Sequence, residues 1–234
     1  MGLNITVLHV RGADIDAVGT AIVQTVAALG WTLRGHAVLR SPPEPCAPNA
    51  LQYLVAPSAG GWISVLTGHG YRTRAPTGQD LAEALSKALS THALALSVMH
   101  SDVLSYWFGA NGIKADTYNS CPPILSEKFS ARHFAKQRHH PDVLASFLPS
   151  GASVVELKSL LDRGWWAAYD GGRLNSHFVP PEDEPGFVFE DDRLMALGNL
   201  LQLHGADHDY PYAGWPEDNA FEWAGFHEWT FMEE

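Results

Sequence analysis

LQYLVAPSAGGWISVLTG (51–68) reads as two short strands, LQYLVAP and GWISVLTG, joined through the turn-prone Ser58-Ala59-Gly60-Gly61. Upstream, LNITVLHV (3–10) alternates as a strand, and Asp14 is placed to cap a following helix. Ile15, Val18, Ile22, Val26 and Leu29 recur at the spacing of one apolar helix face, with Gly30 as its stop. Downstream, Thr77 and Asp80 form a variant capping box for a second helix, whose apolar side carries Leu81, Leu85 and Leu89. ALALSV (93–98) follows as a strand. The order strand-helix-strand-strand-helix-strand predicts an α+β fold built on a ferredoxin-like βαββαβ sheet, with both helices on one face.

MHSDVLSYWFGANGIKADTYNSCPP (99–123) extends that sheet by a hairpin turning at Asn111-Gly112. Val103, Ser105 and Trp107 point one way, and Leu104, Tyr106 and Phe108 the other. His100, Asp102, Asp116 and Cys121 raise the question of a reaction centre. Ser and Asp at a bend bond nearby backbone amides, so His100-Ser101-Asp102 reads first as turn chemistry. Cys121, within NSCPP, lacks the helix N-terminus that usually activates a nucleophilic thiol.

The second half is helical. PDVLASFL (141–148) has Pro at its first turn, Ser153 and Glu156 cap VVELKSLLDR, and DDRLMALGNLLQLH (191–204) carries acids at its positive end. Short strands accompany these helices: a hairpin around Asp170-Gly171-Gly172 and a final alternating FHEWTFME (226–233). No Pro/Gly/Ser linker divides the halves, so the expectation is one domain over 1–234, with a sheet-rich half (1–120) and a helical, acidic half (121–234).

Charge follows that division. Residues 1–120 are balanced, seven acids against seven bases, so the second half supplies the entire net charge of −11. From Glu182 onward fourteen acids face only Arg193. Trp215, Phe221, Trp223, Trp229 and Phe231, interleaved with Glu222 and Glu228, combine the aromatic types favoured at binding hot spots with an acidic rim. These residues predict a non-enzymatic, macromolecule-binding protein, an immunity-type or adaptor protein that takes a basic partner. Two alternatives remain open. One is a metal-dependent hydrolase drawing on His100, Asp102, Asp116, His204 and His208, the last two spaced i,i+4. The other is nucleic-acid binding through KFSARHFAKQRHH (128–140), which has four Lys or Arg and no acid. No cofactor is predicted, beyond a divalent metal under the first alternative. Phosphate-loop, dinucleotide and serine-hydrolase motifs are absent from the sequence.

No run approaches the roughly 18 apolar residues of a membrane span. The opening MGLNITVLHV lacks a signal-peptide pattern, and Cys46 and Cys121 suit neither a disulfide framework nor a zinc knuckle, so a cytoplasmic protein is expected. Leu81–Ser86, His100–Asp102, Tyr106-Trp107 and Asp116–Pro122 together resemble a broad group of uncharacterised bacterial proteins. In that group an LAxxLS helix precedes an H-x-S-D-type hairpin, then Y-W and D-x-Y-N-S-x-P. The resemblance implies a bacterial, cytosolic, single-domain protein and assigns no catalytic residue.

Overall fold

The computed structural model describes residues 5–41, 43–44, 46–47, 49–69, 75–99, 102–121, 139–162, 169–170, 173–174, 190–203 and 224–233. The elements in chain order are β1 (Ile5–Arg11), α1 (Ile15–Ala27), β2 (Trp31–Val38), β3 (Ala50–Val55), β4 (Trp62–His69), α2 (Gly78–Ala88), β5 (His92–Met99), β6 (Val103–Ala110) and β7 (Ile113–Asn119). They continue with α3 (Pro141–Ala145), α4 (Val154–Leu161), β8 (Tyr169–Asp170), β9 (Arg173–Leu174), α5 (Glu190–Leu201) and β10 (His227–Glu233). Among the described residues, eight strands form one antiparallel sheet in the order β2-β10-β3-β4-β1-β5-β6-β7, while β8 and β9 pair with each other.

Local chemistry sets the element ends. The Asp14 side chain accepts from Ala17 N at 2.7 Å to open α1. Thr77 and Asp80 make both arms of the capping box that opens α2. Leu29, expected on the apolar face of α1, falls past its end and is exposed. The β6–β7 turn places Asn111 and Gly112 at φ 54° and 76°, the left-handed pair a two-residue hairpin needs. Its tip is held from behind: Gly112 N donates to Ser86 Oγ at 2.8 Å, and that hydroxyl donates to Glu83 O within α2.

The sheet is covered on both faces. On one, Val18, Ile22 and Val26 of α1 and Leu81 and Leu85 of α2 pack on Leu8, Val10, Val55, Val65 and Phe231. On the other, Leu144, Leu157, Leu161, Leu197 and Leu201 of α3–α5 pack on Val7, Leu54, Leu66, Leu96 and Phe108. Each fully buried aliphatic side chain stabilises by roughly 1.5–3 kcal/mol, so both layers contribute substantially.

Two features depart from the expected sheet. WTLRGHAV (31–38) carries no clear alternation, yet forms β2. As an edge strand it buries only Trp31 and leaves Leu33 and Val38 exposed, so neither face demands an apolar row. The last strand is not a peripheral addition either. β10 lies between β2 and β3, which puts Trp229 and Phe231 into the layer beneath α1.

Candidate functional site

The hairpin of residues 103–119 divides its two faces between two tasks. On the α3–α5 face, Tyr106 donates to Asp116 Oδ2 at 2.6 Å, and the backbone N–H of His140 donates to the same carboxylate at 3.0 Å. Asp116 is buried there among aromatic rings, with Tyr118 stacked on Tyr106. Burial first, and the Asp116 charge second, push the Tyr106 phenol well above its usual value. Alongside, buried Arg193 of α5 donates to the Tyr118 hydroxyl. His139 stands edge-on to Tyr118, with Nε2 3.1 Å from Asp162 at the end of α4. This polar set ties β6 and β7 to all three helices on that face. It is a brace.

On the opposite face the same strands line a cleft of about 680 Å³. The register brings a row of small polar side chains across its floor. Ser105 of β6 lies opposite Asn119 of β7 and Ser97 of β5, and Ser97 lies opposite Thr6 of β1. Thr67 of β4 continues the row one step past the Val7–Leu66 pair. The line spans roughly 19 Å at a strand spacing near 4.8 Å. Thr6 and Ser97 share a hydrogen bond at 3.1 Å. Each hydroxyl has one donor and two acceptor positions, so one such bond does not exhaust the pair. The wall is the start of α2. A Cβ at Gly78 would lie 2.3 Å from Thr6 Cγ2, so only glycine lets the helix come down onto the floor. Tyr53 and Trp107 close the sides of the cleft.

None of the described lining residues carries a charged side chain; hydroxyls, amides, aromatic rings and aliphatic groups make up the surface. Such a site forms hydrogen bonds and excludes unpaired ions, whose burial would go uncompensated. The described lining residues supply no carboxylate, imidazole, thiol or amine for proton transfer or metal ligation. A Ser–His contact exists elsewhere, His9 Nδ1 with Ser64 Oγ at 2.8 Å, but both residues are 0% exposed, closed to any substrate.

Family models, curated proteins and solved structures give no match to this chain. What it does must therefore be read from its own geometry.

Those residues singled out in the sequence that are described do not come together. Asp102 is exposed at the start of β6, whereas Asp116 pairs with Phe108, six residues further along that strand. At 3.3 Å per residue this separates the two carboxylates by roughly 20 Å, too far to share an ion. His100, His204 and His208 lie outside the described residues, and α5 ends at Leu201, three residues before His204. Among the described residues no group of three metal-ligating side chains converges. Trp229 and Phe231 are core residues, 6% and 0% exposed, so neither presents an anchor to a partner. Glu228 points to the other face and accepts from Gln52 Nε2 at 2.6 Å. Trp215, Phe221, Glu222 and Trp223 lie outside the described residues, as does the basic segment up to residue 138. Its last two residues are part of the brace, His139 through Asp162 and His140 through Asp116. Cys121 is buried, its N–H donating to Asn119 Oδ1.

The hydroxyl row went unread in the sequence. Its members are scattered from residue 6 to residue 119, and each looks like an ordinary polar position within a strand. Only the strand register makes them neighbours.

Proposed function

We propose that this protein acts by binding rather than by catalysis, and that the cleft over the hydroxyl row is where it binds. The observation that carries this reading is the lining, uncharged throughout its described residues and carrying a row of small polar side chains across its floor. The matching ligand is uncharged and rich in hydroxyl or amide groups, held by several neutral hydrogen bonds worth about 0.5–1.5 kcal/mol each. A site built to hydrogen-bond such groups discriminates sharply against analogues that leave its polar atoms unpaired. The test is a panel of neutral, anionic and cationic polyhydroxylated small molecules, read by thermal midpoint and by NMR shifts of the cleft residues. Neutral members are expected to raise the midpoint, and Ser105→Val to weaken them about tenfold. Preference for charged members, or shifts mapping away from Thr6, Ser97 and Ser105, would sink the reading.

A second reading rests on charge. Fourteen acids against one base from Glu182 onward favour a basic macromolecular partner, met by the acidic C-terminal quarter. With Trp229 and Phe231 in the core, field rather than aromatic anchoring supports this reading. A complex recovered on this protein should then associate more slowly by an order of magnitude or more between 50 mM and 500 mM salt. An association rate indifferent to salt would remove the charge from the account.

The same proposal includes the finer fold reading. The neighbour order β3-β4-β1-β5, with α1 and α2 on one face, supports a ferredoxin-like core to which β2, β10, β6 and β7 are added. The place of β10 among first-half strands supports a single domain. Two cysteines, Cys46 and Cys121, with no C-x-x-C spacing support a reducing, cytoplasmic setting. Among the described residues no helix is long and apolar enough to cross a membrane.

A further inference from the structure

At the far end of the sheet from β7, two histidines separated by 191 positions in the chain are brought together by the β2–β10 pairing. His36 lies opposite Trp229, and His227 opposite Val38, so the two imidazoles are diagonal neighbours on one face. Both rings lie over Trp229, His36 at 4.6 Å and 22°, His227 at 5.6 Å and 29°. That indole is itself pinned by the close approach of Gly19, so the rings rest on a fixed platform. His36 Nε2 and His227 Nδ1 face each other at 3.2 Å, with His36 exposed to solvent.

We propose that His36 and His227 form a two-histidine site for a divalent first-row transition ion such as Zn²⁺, Ni²⁺ or Cu²⁺. Imidazole nitrogen is the ligand type these ions share. With metal–nitrogen bonds of 2.0–2.1 Å, two donors on one ion stand about 2.9 Å apart in a square plane and about 3.3 Å apart in a tetrahedron. The observed separation falls between these values, so little ring movement is needed. In the metal-free protein the facing nitrogens share one proton. On binding, that proton passes to the far nitrogen of its own ring, which leaves two lone pairs directed at the ion and releases no net proton. Burial, and then the neighbouring His36, hold the His227 pKa below its usual value, which favours the neutral, ligating form; Asp16 of α1 acts in the opposite sense. The remaining coordination positions are filled by water. The site is distinct from the cleft and does not depend on the reading given for it.

The site also joins β2 to β10, its partner among the described strands, so an ion there clasps the edge strand. The experiment uses the full chain without a histidine tag. Zn²⁺ is titrated calorimetrically, and Cu²⁺ by quenching of tryptophan fluorescence, because Trp229 lies under both ligands. The expected result is saturable binding of one ion at this site, a rise in thermal midpoint with Zn²⁺, and a weakening of about tenfold or more in both His36→Gln and His227→Gln. Both positions are solvent-accessible, and circular dichroism checks that the variants remain folded. Absence of saturable binding would overturn the proposal. So would binding left unchanged in both variants, since the ion would then sit on other histidines.

Discussion

Trp229→Ala is expected to lower stability by about 3–5 kcal/mol, the cost of removing a large aromatic ring from a packed core. The indole is 6% exposed, sits in the layer under α1 and fills the space that Gly19 leaves open. An ideal Cβ on Gly19 would stand 2.1 Å from Trp229 Cζ2, well inside contact distance. Gly19→Ala therefore tests the same packing from the other side. In an unencumbered helix this change gains about 1 kcal/mol. Here overpacking costs about 1–3 kcal/mol and reverses the sign. In the Trp229→Ala background the obstruction is gone, so Gly19→Ala should become neutral or stabilising. Denaturant unfolding of the four variants closes the cycle. Additive effects would mean that the two residues do not touch. A Trp229→Ala protein of unchanged stability that lost a binding partner would restore the residue to the role of an exposed anchor.

Asp116→Ala is expected to cost about 2–4 kcal/mol. It removes the acceptor of the Tyr106 hydroxyl and of the His140 N–H, and a buried hydroxyl left without a partner loses about 1–3 kcal/mol by itself. Tyr106→Phe removes the donor instead and should recover part of that loss when combined with Asp116→Ala. The brace also has a pH signature. Burial and the Asp116 charge raise the folded-state pKa of Tyr106 well above the ordinary phenol value of 10.0. A raised pKa means that the folded chain keeps a proton that the unfolded chain gives up. The stabilisation is therefore complete below pH 10 and declines as pH climbs beyond it. Guanidinium unfolding between pH 8 and 11 should show wild-type stability falling toward that of Tyr106→Phe. A gap between the two that stays constant, or widens, over this range would contradict the arrangement.

The outcome for residues 99–123 shows where reading from sequence stops. Period-two alternation correctly split this hairpin into two faces, and Asn111-Gly112 marked its turn, because both depend on neighbours in the chain. That one face is a brace and the other a cleft floor depends on what packs against each. Arg193 reaches the brace from α5 and His139 from the segment ahead of α3, while Thr6 and Thr67 reach the floor from remote strands.

Elements whose signals are local were legible: the caps at Asp14, Thr77 and Ser153, the apolar stripe of α1, the Asn111-Gly112 turn and the alternation of the central strands. Those signals arise from backbone sterics and from hydrogen bonds between residues a few positions apart, so they are written in the order of the chain. β2 was illegible because an edge strand with two wet faces has no apolar row to display. The placing of β10 between β2 and β3 was equally hidden, since a strand's own pattern says that it is half-buried but not which strands flank it. The same limit applies to the cleft and to the His36–His227 pair. Each is made of side chains unremarkable in isolation, and its chemistry exists only once antiparallel register has set distant residues opposite one another.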